Sequence, residues 1–256
     1  MADRRPVRLT ERDHDLLAFV AVHRLVLAEH VKALLGVSPA AAYNRLRSLA
    51  AAGMLSTEQP YHNRPGHYQI TRRGLDAIAS DLPRPGVDVR SYQHDIGLAW
   101  LWLAARSGTF GQLREVVSER QMRSHDGRLG DHGERYGVRL GGVGPRGLER
   151  RHYPDLILDT AGGHRVAIEL ELSGKARTRR ETILAGYGAD RRIDAVLYFV
   201  EHPAVSRAIR TSAARLGISP LIHVQRFEHG TAMRATGRQT GIERGPTRSL
   251  AAEAGR

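Results

Sequence analysis

At 256 residues the chain is long enough for one large domain or two smaller ones, and its 41% hydrophobic share marks a globular rather than a disordered protein. A formal charge of +12 and a pI near 10.8 call for a polyanionic partner, of which nucleic acid is the usual one. The lack of cysteine excludes disulfides, zinc thiolates and thiol catalysis. The first residues carry no apolar signal core, and no stretch is apolar over the ~18 residues a membrane span needs, so a cytoplasmic protein is expected.

Thr10 followed by Asp13 reads as a helix N-cap, and Leu16, Leu17, Val20 and Ala21 then recur at helical spacing. A second helix is expected from about Leu27 to Leu35, stopped by Gly36; Ser38-Pro39 opens a third that runs to Gly53. Helix, turn of Gly36-Val37-Ser38, helix is helix-turn-helix spacing. On the third helix Ala42, Tyr43, Leu46, Leu49 and Ala50 should be buried, and Ala40, Ala41, Asn44, Arg47 and Ser48 should face outward with Arg45 beside them. A surface that starts small and then offers Asn and Arg suits adenine and guanine edges in a major groove.

Leu55 to Glu58 and Tyr68 to Thr71 predict a hairpin around His62-Asn63-Arg64-Pro65-Gly66-His67, with a helix from Arg73 to Ala79 behind it. From Leu9 to Leu82 the chain resembles the winged-helix family. The resemblance implies DNA as partner, with Arg64 on the wing nearest phosphate; docking to another protein is the alternative. Leu82-Pro83-Arg84-Pro85-Gly86 is rigid and breaks helices, which puts a boundary at residue 82 and a linker over 83–91.

Tyr92 to Arg106 is strongly apolar at helical spacing and predicts a buried helix, with His94 and Asp95 in its first turn. Val116-Val117 reads as a strand. Residues 124–151 are Gly, Arg, His and Asp with almost no apolar periodicity, which predicts a flexible basic loop. His125, Asp126, Asp131 and His132 within it are spaced too irregularly for a metal site.

Leu156 to Leu158 and Val166 to Leu172 are β-favouring runs on either side of Gly162-Gly163, a hairpin pattern that brings Asp155 close to Glu169 and Glu171. Side chains alternate along a strand, so Glu169 and Glu171 share one face while Ile168, Leu170 and Leu172 take the other. Carboxylates crowded among core residues repel one another and resist desolvation unless a cation joins them, and a hard ion such as Mg²⁺ or Mn²⁺ suits their oxygens. Lys175 follows just beyond. Only Lys32 and Lys175 among the 39 basic residues are lysine, and a compact ammonium is a different tool from a guanidinium fork. Acids, ion and ammonium are what metal-assisted phosphodiester hydrolysis requires.

Pro154-Asp155, Glu169-x-Glu171 and Lys175 resemble the PD-(D/E)xK nuclease superfamily, and the wider chain resembles its replication-relaxation branch of plasmid and conjugative-element proteins. The resemblance covers roughly Tyr92 to Val224. It implies Asp155, Glu169 and Glu171 as metal ligands, with Lys175 completing the catalytic set. It also implies DNA as substrate and plasmid replication or conjugation proteins as further partners. In some relatives an acid on the first core helix joins the ligands, which makes Asp95 an extra candidate; capping that helix explains it equally. The family's lysine normally stands where this chain has Glu171. Either Lys175 has taken over that duty, or the site keeps the fold without the chemistry, leaving a silent DNA-binding regulator.

After the motif, a helix opening at Ala176 presents Arg177, Arg179 and Arg180 beside the acids, where a helix N-terminus favours phosphate. Ala195 to Val200 predicts a buried strand, Ala204 to Leu216 a helix and Leu221 to Val224 another strand. The expected class is α/β (α+β): a winged helix, then a restriction-endonuclease-like mixed sheet flanked by helices over 92–228, and a disordered basic tail over 229–256.

Overall fold

The computed structural model describes residues 8–59, 65–129, 133–144 and 147–227. Asp13 accepts hydrogen bonds from the Thr10 amide at 2.7 Å and hydroxyl at 2.6 Å, closing the start of α1 (Glu11–Val22) as a capping box. Leu16, Leu17, Phe19 and Val20 on this helix are fully buried. After α2 (Ala28–Leu35) the backbone turns at Gly36 with φ +62°, a conformation that glycine adopts freely. The next helix, α3 (Pro39–Ala51), starts as its sequence predicts, with Ser38 Oγ accepting from the Ala41 amide at 3.2 Å. Ala42, Leu46 and Leu49 carry its buried stripe. Tyr43, expected inside, is 51% exposed: it lies one residue off that stripe, beside the open face, with the Arg47 guanidinium 6.0 Å from its ring centre.

Strands β1 (Leu55–Glu58) and β2 (His67–Ile70) pair antiparallel, and Val26 bridges Tyr68 on the other side of β2. Thr71 caps α4 (Arg72–Ala77) by accepting from the Gly74 amide at 3.1 Å. Gly74 itself is required by a close approach, since a Cβ there would meet the Met54 carbonyl oxygen at 2.3 Å. The tip of the hairpin, with Arg64, lies outside the described residues, as does the tail over 229–256.

The rest of the chain is α/β. Five strands form one mixed sheet in the order β3-β6-β7-β8-β9: β3 (Leu113–Ser118), β6 (Leu156–Thr160), β7 (Arg165–Glu171), β8 (Ala195–Val200) and β9 (Ile222–Arg226). The first three run antiparallel, and β7, β8 and β9 are parallel, joined through α7 (Arg177–Ala189) and α8 (Pro203–Arg215). Helix α5 (Tyr92–Arg106) covers one face of the sheet, with Leu101 and Ala105 against Leu156, Leu158, Ile168 and Leu170. Helices α7 and α8 cover the other, where Ile183, Leu184 and Ile209 meet Ile157, Ala167 and Val196. The same α5 also turns Ala99 and Trp102 into the core built by α1 to α4. Arg120 ties the two parts again by donating to the His23 carbonyl at 2.9 Å and to the Pro83 carbonyl. Among the described residues no helix is long and apolar enough to cross a membrane.

The described residues of 124–151 do not form the loop their composition predicts. They finish α6 (Glu119–Arg128) and then form a two-stranded ribbon, β4 (Val138–Val143) and β5 (Glu149–His152). The apolar signal is sparse because the ribbon buries only its base: Val138 is fully inside, while Val143 is 74% exposed. Buried Asp126 organises the entry by accepting from the Tyr136 amide at 2.8 Å and the Gly137 amide at 2.9 Å, a structural duty rather than a metal one. Asp131 and His132 lie outside the described residues.

Candidate functional site

The β6–β7 register, Leu156 opposite Ile168, continues through the Asp155 amide, which donates to the Ile168 carbonyl at 3.1 Å. Asp155 thus stands just before β6, beside the Ile168–Leu170 stretch of β7, the stretch that carries Glu169. Strand alternation puts Ile168 and Leu170 into the α5 side of the sheet and leaves Glu169 and Glu171 on the side of Ala167, facing α7. All three acids predicted from the motif thus come to one face.

Each acid has its own hydrogen-bond partner. Asp155 Oδ2 accepts from the Leu170 amide at 2.7 Å and lies 3.2 Å from Nε2 of His94, delivered by the first turn of α5. Glu169 Oε1 lies 2.6 Å from Nε2 of His152, at the end of β5, and also accepts from the Tyr187 hydroxyl on α7. Glu171 Oε2 accepts from the Lys175 ammonium. Lys175 therefore reaches the cluster from four residues beyond Glu171, across the turn between β7 and α7.

The electrostatics follow from that pairing. Burial favours the neutral form of Asp155, but His94, the Leu170 amide and Lys175 outweigh it and hold the carboxyl below its ordinary range. Burial likewise opposes the charge on His94, yet Asp155 beside it pushes the imidazole up to about 9. His152 is raised despite its burial because Glu169 faces it. Glu171 stays above the usual carboxylate range because burial and the neighbouring acids outweigh Lys175, whereas Lys175, half-buried, is raised against its desolvation by Glu169, Glu171 and Asp155. Burial, then Glu169, lifts Tyr187 and Tyr198 well above the phenol range. Asp95 is 4% exposed, its Oδ2 has no hydrogen bond among the described residues, and burial pushes it up to about 6. Arg24 lies 3.9 Å from its other oxygen; Asp95 stands in the first turn of α5, as the sequence predicts, without a cap hydrogen bond, and is outside the hydrogen-bonded set around Asp155.

As to a divalent ion, no group of three or more His, Asp or Glu side chains among the described residues is arranged to hold one. The donor chemistry still suits a hard cation. Oδ1 of Asp155, Oε2 of Glu169 and Oε1 of Glu171 take no hydrogen bond among the described residues, while Glu169 and Glu171 are themselves buried.

The outward face of α3 holds Ala40, Ala41, Asn44 and Arg47 exposed and Ser48 half-buried. Arg45 is not on it: its guanidinium binds both oxygens of buried Asp13, pinning α3 to α1. At the start of α7, Arg179 is exposed and Arg177 pairs with Glu181 at 3.1 Å. Arg180 is turned inward to Ser212 Oγ at 3.0 Å and the Lys175 carbonyl at 3.1 Å. His152 and the Tyr187 hydroxyl escaped the sequence reading. His152 sits in a stretch without periodicity, and Tyr187 looks like plain core. His94, next to the acid Asp95, carried a local signal. Comparisons with protein-family models, with curated proteins and with solved structures give no match.

Proposed function

We propose that this is a DNA-binding protein of the replication-relaxation kind, in which a winged helix finds a site and a PD-(D/E)xK-like centre nicks or cuts a phosphodiester. The observation that carries the reading is the Lys175 ammonium on Glu171, facing Asp155 and Glu169. A lysine displaced from its usual place in the motif comes back to the acids through the turn. The order of elements supports it as well, with a first core helix, an antiparallel hairpin bearing the acids and a parallel extension. For DNA binding the support is a helix-turn-helix sequence whose α3 leaves Asn44 and Arg47 open, on a chain of charge +12.

In this reading Asp155 and Glu169 would hold Mg²⁺ or Mn²⁺ by their open oxygens, with Glu171 as a further ligand or base. A bound ion supplies an activated water and polarises phosphorus. His94 and His152 fix the angles of the two acids, and Lys175 steadies charge on the phosphate.

A second reading, a catalytically silent regulator, is favoured by a specific observation. Asp155, Glu169 and Glu171 are already matched by His94, His152 and Lys175, so the cluster needs no ion to be neutral. Supercoiled plasmid incubated with Mg²⁺ or Mn²⁺ separates the two. Nicking that disappears in Asp155→Ala and Glu169→Ala supports the nuclease; tight metal-independent DNA binding without nicking supports the regulator.

A further inference from the structure

The β4–β5 ribbon is built unlike the rest of the molecule. Its base is buried, with Val138 fully inside and paired to His152, which reaches Glu169 at 2.6 Å. Its far end stands in solvent, and there Val143 at the end of β4 and Leu148 just before β5 are 74% and 67% exposed, the two largest exposures among the big apolar side chains of the described residues. Gly144 closes that end by donating to the Leu148 carbonyl at 2.7 Å. Gly141 and Gly142 take φ of +72° and +71° where the register slips between Arg139 and Val143, a bulge that bends the ribbon. Along its length Arg139 and Arg150 are exposed; Arg139 shares Glu149 with Arg151, and Arg150 has no ion pair among the described residues. At ~3.3 Å per strand residue, the three steps of β5 from His152 to Glu149, the partner of Val143, carry the ribbon roughly 10 Å from its base.

We propose that this ribbon is a second contact for duplex DNA, gripping phosphates with Arg139 and Arg150 and setting Val143 and Leu148 against the bases. The inference rests on the DNA-binding reading and adds to α3 a grip beside the acidic cluster. Charge complementarity selects the partner. A chain of +12 whose ribbon sets three arginines, Arg139, Arg150 and Arg151, against the one acid Glu149 repels a second copy of itself along this edge and attracts a polyanion. Two-stranded ribbons fit grooves, and apolar side chains at a groove insert between base steps. Alternation along β5 couples the grip to the site, because Arg150 and His152, two residues apart, leave the strand on the same face, the one by which His152 reaches Glu169.

The test is a DNA titration of the full chain over a range of salt, in four forms: parent, Arg139→Ala/Arg150→Ala, Leu148→Ser and Arg47→Ala. Each phosphate contact contributes about −0.9 to the slope of log K against log salt, so the double arginine variant should flatten it by about 2 and bind about ten- to a hundredfold more weakly. Leu148→Ser should weaken binding severalfold with the slope unchanged, since an apolar contact releases no counterions. Parental slope and affinity in both ribbon variants, with Arg47→Ala still impaired, overturn the ribbon proposal and spare the α3 reading. Ribbon variants that bind DNA as the parent does but lose self-association in sedimentation overturn it in favour of a protein contact. A parent that binds no DNA sinks the underlying reading instead.

Discussion

Replacing Lys175 by Met removes the single ammonium from the acidic face. The Lys175 side chain is 25% exposed and that of Glu171 9%, so the pair sits largely out of water. Breaking a buried pair by deleting one partner costs ~3–5 kcal/mol, and the partial exposure of Lys175 brings that down to about 2–3 kcal/mol. Glu171 is left beside Glu169 and Asp155 without its cation, and its carboxyl, already raised, rises further. An acid that binds its proton more tightly in the folded state adds stability below its unfolded pKa of ~4.3, and that stability is lost as pH climbs through the folded value. Lys175→Met should therefore lose more stability against the parent at pH 7.5 than at pH 5. Urea unfolding at both values reads the difference, and Lys175→Met/Glu171→Gln should recover at least about 1 kcal/mol of the loss at pH 7.5. If Lys175→Met stays within ~0.5 kcal/mol of the parent at both values, the ammonium is not seated among the acids and the nuclease-like reading loses its main support.

Asn44→Ala or Arg47→Ala should weaken binding to a preferred DNA sequence by ~1–3 kcal/mol, and gel shifts unchanged by both would remove α3 from any reading role. Gly74→Ala sets a helix-propensity gain of ~1 kcal/mol against a Cβ pressed on backbone, for a net loss of about 2 kcal/mol and a melting temperature lower by roughly 4–8 °C. The Met54 oxygen it would strike is held by the Thr71 amide and hydroxyl, both at 3.0 Å, so it has nowhere to move; an unchanged melting curve would contradict that geometry. Burial holds His23 down to about 4 and His30 to about 3, so both fold neutral, and stability should fall as pH drops from ~6.5 toward those values. Unfolding measured between pH 7 and 4.5 should show that loss, and His23→Leu/His30→Leu should flatten it.

Where local chemistry dictates structure, the sequence was legible. Tyr92–Arg106 and Ala195–Val200 appear over their predicted bounds, because a dense apolar period and a continuous β-branched and aromatic run leave no competing state. The hairpin bearing the acids was equally plain, with Gly163 at φ +84° making the turn. Tyr43 was misread because periodicity reports amphipathicity rather than exposure, and the ribbon because it buries only its base and so shows almost no period to read. Arg45 was assigned to DNA because a guanidinium on a recognition-type helix looks available. Its partner Asp13 lies 32 residues earlier and was itself read only as a cap.

The acidic site shows the same division between what is local and what is not. Three carboxylates on one face follow from strand alternation, but the partners that make the face stable come from α5, β5, α7 and the turn after β7. Those partners also shape the chemistry. A cation paired with each acid removes the repulsion that would otherwise force an ion into the cluster, so the acids alone do not argue for turnover. What argues for it is asymmetry: His94, His152 and Lys175 each occupy one oxygen of an acid and leave the other without a hydrogen bond among the described residues. A purely structural network buried for stability tends to satisfy both oxygens, since each unmet acceptor removed from water costs about 1–3 kcal/mol. Here the unbonded oxygens of Asp155 and Glu169 belong to neighbouring strand ends, on acids held by histidines from separate elements. That is an arrangement a hard cation can use without dismantling the pairs that hold the fold.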